Sequence, residues 1–570
     1  MPTPTASTSQ SRPQSRNGAD LVIECLSTEG IGVVAGVPGT TTMDLLDSLA
    51  RQDDIRFIVT RHEQVASFFA DGVSRPGDQL GVCVVSRGPG ATNAAVAVEN
   101  AHHESVPMLL LVGQVAGGIA DRHAFEEFDV LASFRPFTKW AVEVRQAERI
   151  PELLQRAVRT ALSGRPGPVV VSLPLDVLQA SVANDVRPAR RWRSHRPAPA
   201  MSAVDEAVGL LARSERPALI LGGGASGDPQ AYLRLAEKLT APIVTTWNRQ
   251  NIVPNDAEAF LGPLGYGAHE VTERAVREAD VVVAIGCRFS EFTTKRWTLL
   301  QEGTLLIHID VDEAELGKVY LPEVGIVSDA ELAARALIDA LPGPYPERKD
   351  ARAVHRRALR SEFDRVSSLG SEAMETDQPG SGVSGIAVID TLQDLAERED
   401  IILVQDAASF GPWMQRHLRL PRPGSLLSSA GGAMGWGLPA SMGIALARPD
   451  ARVVTVCGDG TFWMVAQDFE TCVRERINTV TIITNNFAYG NTRDRQTTAH
   501  EGRYLGVFYG NPDFAEFARS LGGYGARVDT SDELAEAVEK ALAQDLPAII
   551  DVIQDRMYGL PPGLTPLPAR

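Results

Sequence analysis

Lysine is scarce in this chain: only six of its 55 basic residues are lysines, a skew that GC-rich coding explains without any functional cause. Positive charge as a whole is in deficit, with 55 basic against 72 acidic side chains and a net charge of −17. A general nucleic-acid binder needs a basic surface for phosphate contacts, so that class is excluded. Cysteine is sparse too. Cys25, Cys83, Cys287, Cys457 and Cys472 lie far apart with no CxxC spacing, which argues against a disulfide framework or structural zinc site and fits a reducing cytoplasm. No uninterrupted apolar run approaches the roughly 20 residues that cross a bilayer, so no membrane span is expected. Residues 1–18, MPTPTASTSQSRPQSRNG, lack the apolar core of a secretion signal and read as a disordered leader. Short tandem repeats are missing as well.

What is present is a rhythm. Short apolar runs alternate with helix-length segments: IGVVAG (31–36), IRFIVT (55–60), LGVCVVS (80–86), MLLLVG (108–113) and PVVVSLP (168–174). Runs this short and this apolar predict parallel strands buried on both faces and joined by crossover helices. A Pro/Arg-rich stretch, 183–202, has the composition of a linker. The rhythm returns with PALILGGG (217–224), APIVTTW (241–247), DVVVAIG (280–286) and TLLIHIDVD (304–312). A charged helical connector (343–382) precedes the last set: DIILVQD (400–406), ARVVTVCGDG (451–460), NTVTIITNN (478–486) and PAIIDVIQD (547–555). The fold class is therefore α/β, three consecutive doubly wound domains with mainly parallel sheets, at 19–182, 203–342 and 383–557, with a tail at 558–570.

The third set carries the chemistry. Gly458-Asp459-Gly460 directly follows one strand run, and Asn485-Asn486 ends another after 24 intervening residues. Both fall at the carboxyl ends of strands, where open α/β sheets bind ligands. Glycines flanking an acid let the backbone approach a diphosphate, while Asp459 and an Asn side chain supply hard oxygen ligands for Mg2+. A tight turn and an Asn-rich turn would account for either motif alone. Together, at this spacing, they read as a cation–diphosphate site.

The GDG…NN pair resembles the thiamin diphosphate (ThDP) motif, and the resemblance extends over nearly the whole chain. It is to the group of acetolactate synthases, pyruvate oxidases and 2-oxoacid decarboxylases, and within it to the acetolactate synthase large subunits. The resemblance implies a pyrimidine-binding, a central and a diphosphate-binding domain in that order. It implies Mg2+ held by Asp459, the Asn486 side chain and the Ala488 carbonyl, with Gly458 and Gly460 in the diphosphate turn. SSAGGAMGWGLPA (428–440) matches the stretch under the thiazolium ring. Met434 would bend the cofactor, although a Met among small residues is otherwise ordinary core packing. The Gly432 carbonyl would accept a hydrogen bond from the 4′-amino group. On the diphosphate side, Ala408-Ser409-Phe410 stands where the family's DVGQH string has GQH, giving Ser409 and Phe410 as cofactor contacts.

Glu63 lies in IVTRHEQVASFFADG (58–72), at a helix start. A carboxylate there is commonly just a capping feature. The resemblance implies more: Glu63 would hydrogen-bond N1′ of the aminopyrimidine and promote formation of the ylid, which attacks a carbonyl and then holds the carbanion as an enamine. GVPGT (36–40), with Pro38, and RGPGATN (87–93), with Arg87, are Gly/Pro turns matching loops that border the same site. The family places the glutamate and the GDG domain on different subunits, so an obligate homodimer, or a homotetramer built from it, is implied.

In the central set, LILGGGAS (219–226) runs into a glycine turn and HIDVD (308–312) ends in acids, as a nucleotide site in a doubly wound fold would. The resemblance implies FAD, ADP or an empty scaffold here, with Gly222, Gly223, Arg288 and Asp310 as the contacts. Departures from acetolactate synthase gather at substrate positions. Phe292 replaces the last arginine of GxRFDDR, and Pro263 replaces the methionine of LGMHG. Asn491 and Arg495 in YGNTRDRQ (489–496) replace the Met and Trp of a lid helix, and Ala124-Phe125-Glu126-Glu127 replaces AFQE. Arg87, Phe125, Glu126, Asn491 and Arg495 thus outline a polar substrate pocket. Arg493 and Arg495 should meet an acid (Glu126, Glu127 or Asp494), solvent or a substrate anion. The expected activity is a ThDP- and Mg2+-dependent C–C lyase or carboligase acting on a 2-oxo acid, acetolactate synthase-like with an altered acceptor pocket. A 2-hydroxyacyl-CoA lyase, a 2-oxoacid decarboxylase, a flavin-bearing pyruvate oxidase and a non-catalytic regulatory or nucleotide-binding paralogue are the alternatives.

Overall fold

A computed structural model of the chain describes residues 16–77, 79–191, 193, 195–342, 346–368, 382–561 and 564. The expected leader up to residue 15, positions 192 and 194 of the linker, 343–345 and 369–381 of the connector, and 562–563 and 565–570 of the tail lie outside the described residues.

Among the described residues, eighteen strands form three sheets of six. The first contains β1 (Val33–Gly36), β2 (Arg56–Val59), β3 (Gly81–Val85), β4 (Met108–Gln114), β5 (Trp140–Glu143) and β6 (Pro168–Pro174), in the order β2-β1-β3-β4-β6-β5. The second contains β7 (Pro217–Leu221), β8 (Ile243–Thr245), β9 (Phe260–Pro263), β10 (Val281–Ile285), β11 (Leu305–Asp310) and β12 (Val324–Val327), ordered β12-β11-β10-β7-β8-β9. The third contains β13 (Ile401–Gln405), β14 (Leu426–Ser428), β15 (Arg452–Gly458), β16 (Val480–Asn485), β17 (Tyr524–Val528) and β18 (Ala548–Ile553), ordered β14-β13-β15-β16-β18-β17. Every pairing is parallel. The three α/β domains of the sequence reading are therefore present. Counted from each domain's own first strand, the first and third sheets have one identical order. The second has the dinucleotide-fold order, with its switch point between β7 and β10.

Parallel sheets need cover on both faces, which is why inner strands such as β4, β7 and β10 are buried along their whole length. Val169, Val170 and Val171 are fully buried. The helix Ile150–Leu162 shows the matching helical spacing: Ile150, Leu153, Leu154, Ala157, Val158 and Ala161 turn inward and join Leu109, Leu111, Val169 and Val171 in one core. One compact unit carries the first sheet and another carries the second and third, and the chain passes between them inside the helix Glu63–Ser74. Among the described residues no helix is long and apolar enough to cross a membrane.

Candidate active site

The third sheet brings four loops together. β14, β13, β15 and β16 are successive neighbours and parallel, so their carboxyl ends open on one edge. From that edge emerge 429–436, 406–410, 459–460 and 486–488. Gly458 is in register with Thr484, which sets GDG beside Asn485-Asn486.

Asp459 is buried, 2% exposed. Asn511 Nδ2 donates to its Oδ2 at 2.8 Å, Tyr509 Oη to its Oδ1 at 3.1 Å, and the Gly460 N–H to Oδ1 at 2.9 Å. Burial nonetheless raises the carboxyl to about 6. Asn511 also donates to Asn485 Oδ1 at 2.8 Å, tying the two motifs into one unit. Asn486 Oδ1 accepts the Ala488 N–H at 3.2 Å around a left-handed Phe487 (φ 54°). Gly460 has to be glycine, because a Cβ there would lie 2.7 Å from the Tyr489 ring and 2.8 Å from Tyr509 Oη. Among the described residues no trio of His, Cys, Asp or Glu forms a metal cage. Mg2+ does not need one, since it takes one or two protein oxygens and fills its octahedron from phosphate and water. Asp459, Asn486 and the Ala488 carbonyl fit that donor set.

On the neighbouring loops, Gly432 has φ +80° with open space where a side chain would be, and Met434 is half-buried rather than packed in the core. Ser409 Oγ lies 2.7 Å from the Cβ position of Gly490, at the start of the lid helix Gly490–Ala499. The Phe410 side chain turns away into the core and stacks on Trp413 at 6.1 Å, which leaves only its backbone toward the loop edge. In the lid helix, Arg493 is fully buried. It pairs with Asp494 at 2.7 Å and donates to the carbonyls of Tyr558 (2.8 Å) and Arg556. Of the partners open to Arg493, the structure selects an acid of the same helix. Asn491 and Arg495 are exposed.

The first sheet repeats the plan. Its strands β2, β1, β3 and β4 carry, past their carboxyl ends, Glu63, Pro38, Arg87 and the 117–127 loop. Glu63 Oε2 accepts from Asn93 Nδ2 at 2.9 Å, and Oε1 would be 3.3 Å from a Cβ on Gly90. The half-buried carboxylate is thus oriented by Asn93. Pro38 is exposed. Glu127 folds its loop by accepting the N–H groups of Asp121 (2.6 Å) and Ala124 (3.1 Å). That turn holds Glu126 left-handed (φ 60°) and Phe125 outward, 76% exposed. Arg87 then meets both, pairing with Glu126 at 3.1 Å under the Phe125 ring, 5.3 Å from its centroid.

At the second sheet's switch point the glycines serve each other. The Gly222 N–H donates to Ile285 O at 2.9 Å and the Gly224 N–H to Gly286 O at 3.0 Å, and a Cβ on Gly222 would lie 2.1 Å from Gly286 O. Gly223 is exposed, with Arg249 Nε 2.9 Å from its Cβ position. Asp310 ends β11 buried, with its carboxyl raised by desolvation, and accepts the Asp312 N–H. Arg288 is half-buried just past β10. Phe292 stacks on Trp247 at 4.7 Å.

Tyr509, Asn511, Asn93 and Arg249 escaped the sequence reading. Tyr509 and Asn511 fall in HEGRYLGVFYGNPDF (500–514), where proximity to an NPD turn was the one available signal. For Arg249 there was none.

Comparison with known proteins agrees with this arrangement. Residues 16–133 match the thiamine pyrophosphate enzyme N-terminal TPP binding domain, 204–337 the central domain and 406–552 the C-terminal TPP binding domain. The chain is 33% identical to the probable acetolactate synthase large subunit of Methanococcus aeolicus, over 96% of this chain and 94% of that protein. It is 31% identical to the acetolactate synthase isozyme 1 large subunit of Escherichia coli K12, over 96% of each. Identity is also 31% with the acetolactate synthase large subunit of Corynebacterium glutamicum, over 97% of this chain and 90% of that one.

Proposed function

The chain belongs to the thiamine pyrophosphate enzymes, among the acetolactate synthase-like members, and from that premise we propose that it is a ThDP- and Mg2+-dependent lyase or carboligase of 2-oxo acids with a polar substrate pocket. One observation carries the reading: four neighbouring loops of the third sheet converge on buried Asp459 beside Asn486, under an open Gly432 and a half-exposed Met434. When bound, ThDP supplies the stabilisation of charge at the carbonyl carbon as CO2 leaves. This chain's residues do the rest. Asp459, Asn486 and the Ala488 carbonyl hold Mg2+ on the diphosphate, with Gly458, Gly460, Ser409 and the Phe410 backbone around it. Gly432 and Met434 set the cofactor's shape, and Glu63, beside Pro38, holds the proton at N1′. Arg87, Phe125, Glu126, Asn491 and Arg495 border the substrate.

As the family resemblance implies, a homodimer, or a homotetramer, would build each site from Glu63 of one chain and Asp459 of another. The five free, buried cysteines accord with a reducing cytoplasm. For the central domain, the Gly222 and Gly224 amides are spent on bonds to Ile285 and Gly286, so a diphosphate of FAD or ADP would meet Gly223 and Arg288. Flavin released on denaturing purified protein would establish FAD.

The test is direct. Protein loaded with ThDP and Mg2+ is given a panel of 2-oxo acids, with and without aldehyde acceptors, and CO2 and products are followed by mass spectrometry. Wild type should release CO2, and Glu63→Gln should be slower by about 10²–10⁴-fold. No CO2 from wild type with any of the acids would favour a non-catalytic paralogue, and equal release by the two would remove Glu63 from the reaction.

A further inference from the structure

The loop 429–435 has a glycine-rich crest and a clamped base. Gly432 and Gly435 both have left-handed backbone (φ +80° and +81°), so the loop has no rigidity of its own at the residues the proposed cofactor site needs. Its rigidity has to come from the two ends. A single buried ion pair reaches both of them. Asp71 and Arg75, one turn apart at the end of the helix Glu63–Ser74 and just beyond it, pair at 2.8 Å with side chains 0% and 8% exposed. Arg75 Nη1 donates to Ser428 O at 3.2 Å, where the loop begins. Trp436 Nε1, where the loop ends, donates to Asp71 Oδ1 at 2.8 Å, and the Arg75 guanidinium lies 4.9 Å over the same indole. Gly72 fits between them because a Cβ there would fall 2.2 Å from Ala440 O.

From this geometry we propose that Asp71, Arg75 and Trp436 are positioning residues: they fix the height of the Gly432 carbonyl and the Met434 side chain, and so set how tightly the cofactor is held. The inference rests on the assignment of Gly432 and Met434 as cofactor contacts. Other bonds steady the base. Asn248 Nδ2 donates to Ser429 O at 3.0 Å, and Asp406 accepts the N–H groups of Trp436 and Gly437. Loss of the indole bond alone should therefore loosen the loop without unfolding the domain.

The experiment compares wild type with Trp436→Phe, which keeps an aromatic ring over Asp71 but loses the N–H, and with Trp436→His, which restores a donor. ThDP binding to apoprotein in saturating Mg2+ is measured by calorimetry, alongside the melting temperature of the apoprotein and KM for the 2-oxo acid. A bond to a buried carboxylate predicts about tenfold weaker ThDP binding in Trp436→Phe, partial recovery in Trp436→His, and an unchanged KM. Arg75→Lys, which gives up the planar fork, should weaken ThDP in the same direction. Wild-type affinity in Trp436→Phe overturns the proposal, and so does a loss fully matched by a fall in apoprotein melting temperature. Failure of wild type itself to bind ThDP would sink the functional reading instead.

Discussion

Asn511 shows what a single residue can decide. Its amide links Asp459 to Asn485, so Asn511→Ala strips a donor from each of two buried oxygens. An unmade buried bond costs about 1–3 kcal/mol, and the variant should need correspondingly more Mg2+ for half-maximal ThDP binding, read by calorimetry. Gly460→Ala should be worse, because its methyl meets two tyrosines at once. Asp406 offers a pH test. Burial raises it from 3.8 to about 6 against the N–H groups of Gly437, Ala407 and Trp436. A carboxyl raised in the folded state favours folding while protonated. That contribution is complete below its unfolded value and is lost as pH climbs through about 6. Apoprotein melting temperature should therefore fall between about pH 4 and pH 7 more steeply in wild type than in Asp406→Asn. Asp459 and Asn486 stand out in the sequence because motif spacing marks them, and Glu63 only through the family resemblance. Asn93 and Asn511 do not, since a residue that only orients another carries no spacing of its own.

Among elements, the lid helix Gly490–Ala499 divides its two arginines by depth. Arg493 is buried on Asp494 and the carbonyls of 556 and 558, and removing one partner of a buried pair costs about 3–5 kcal/mol. Arg493→Ala should unfold or loosen this corner, seen as a lowered denaturation midpoint. Arg495 is exposed and forms no ion pair among the described residues, so Arg495→Ala should keep that midpoint and raise KM for the true substrate. Sequence legibility followed the same division by depth. Inner strands such as Val169-Val170-Val171 announce themselves as apolar runs. β12 alternates buried and exposed residues, and β17 is buried only at Val528. Both lie at sheet edges, where one flank has no neighbour and the apolar signal fades, and neither was anticipated. β5, buried only at Ala141, was missed for the same reason, whereas β9 and β14 are mostly buried but are only four and three residues long.

At the scale of the whole molecule, the repeated strand order gives each chain two different half-sites. If partners exchange halves, a protein carrying Glu63→Gln and another carrying Asp459→Ala, each inactive, should recover about a quarter of wild-type activity when unfolded and refolded together, through dimers with one intact site. No recovery would count against sites shared between chains. The order of the two outer sheets was invisible in the sequence, because crossover connections set it and they leave no local pattern. One last feature reaches further than its size. Asn486 and Arg493 donate to Tyr558 O, Trp413 to Gly559 O, and the Tyr558 hydroxyl meets the Gly385 N–H. That edge of the third sheet is thus stitched shut by residues that come just after its last strand, Ala548–Ile553. A chain cut after Asp555 would keep every described strand and lose these bonds, and should bind ThDP far more weakly.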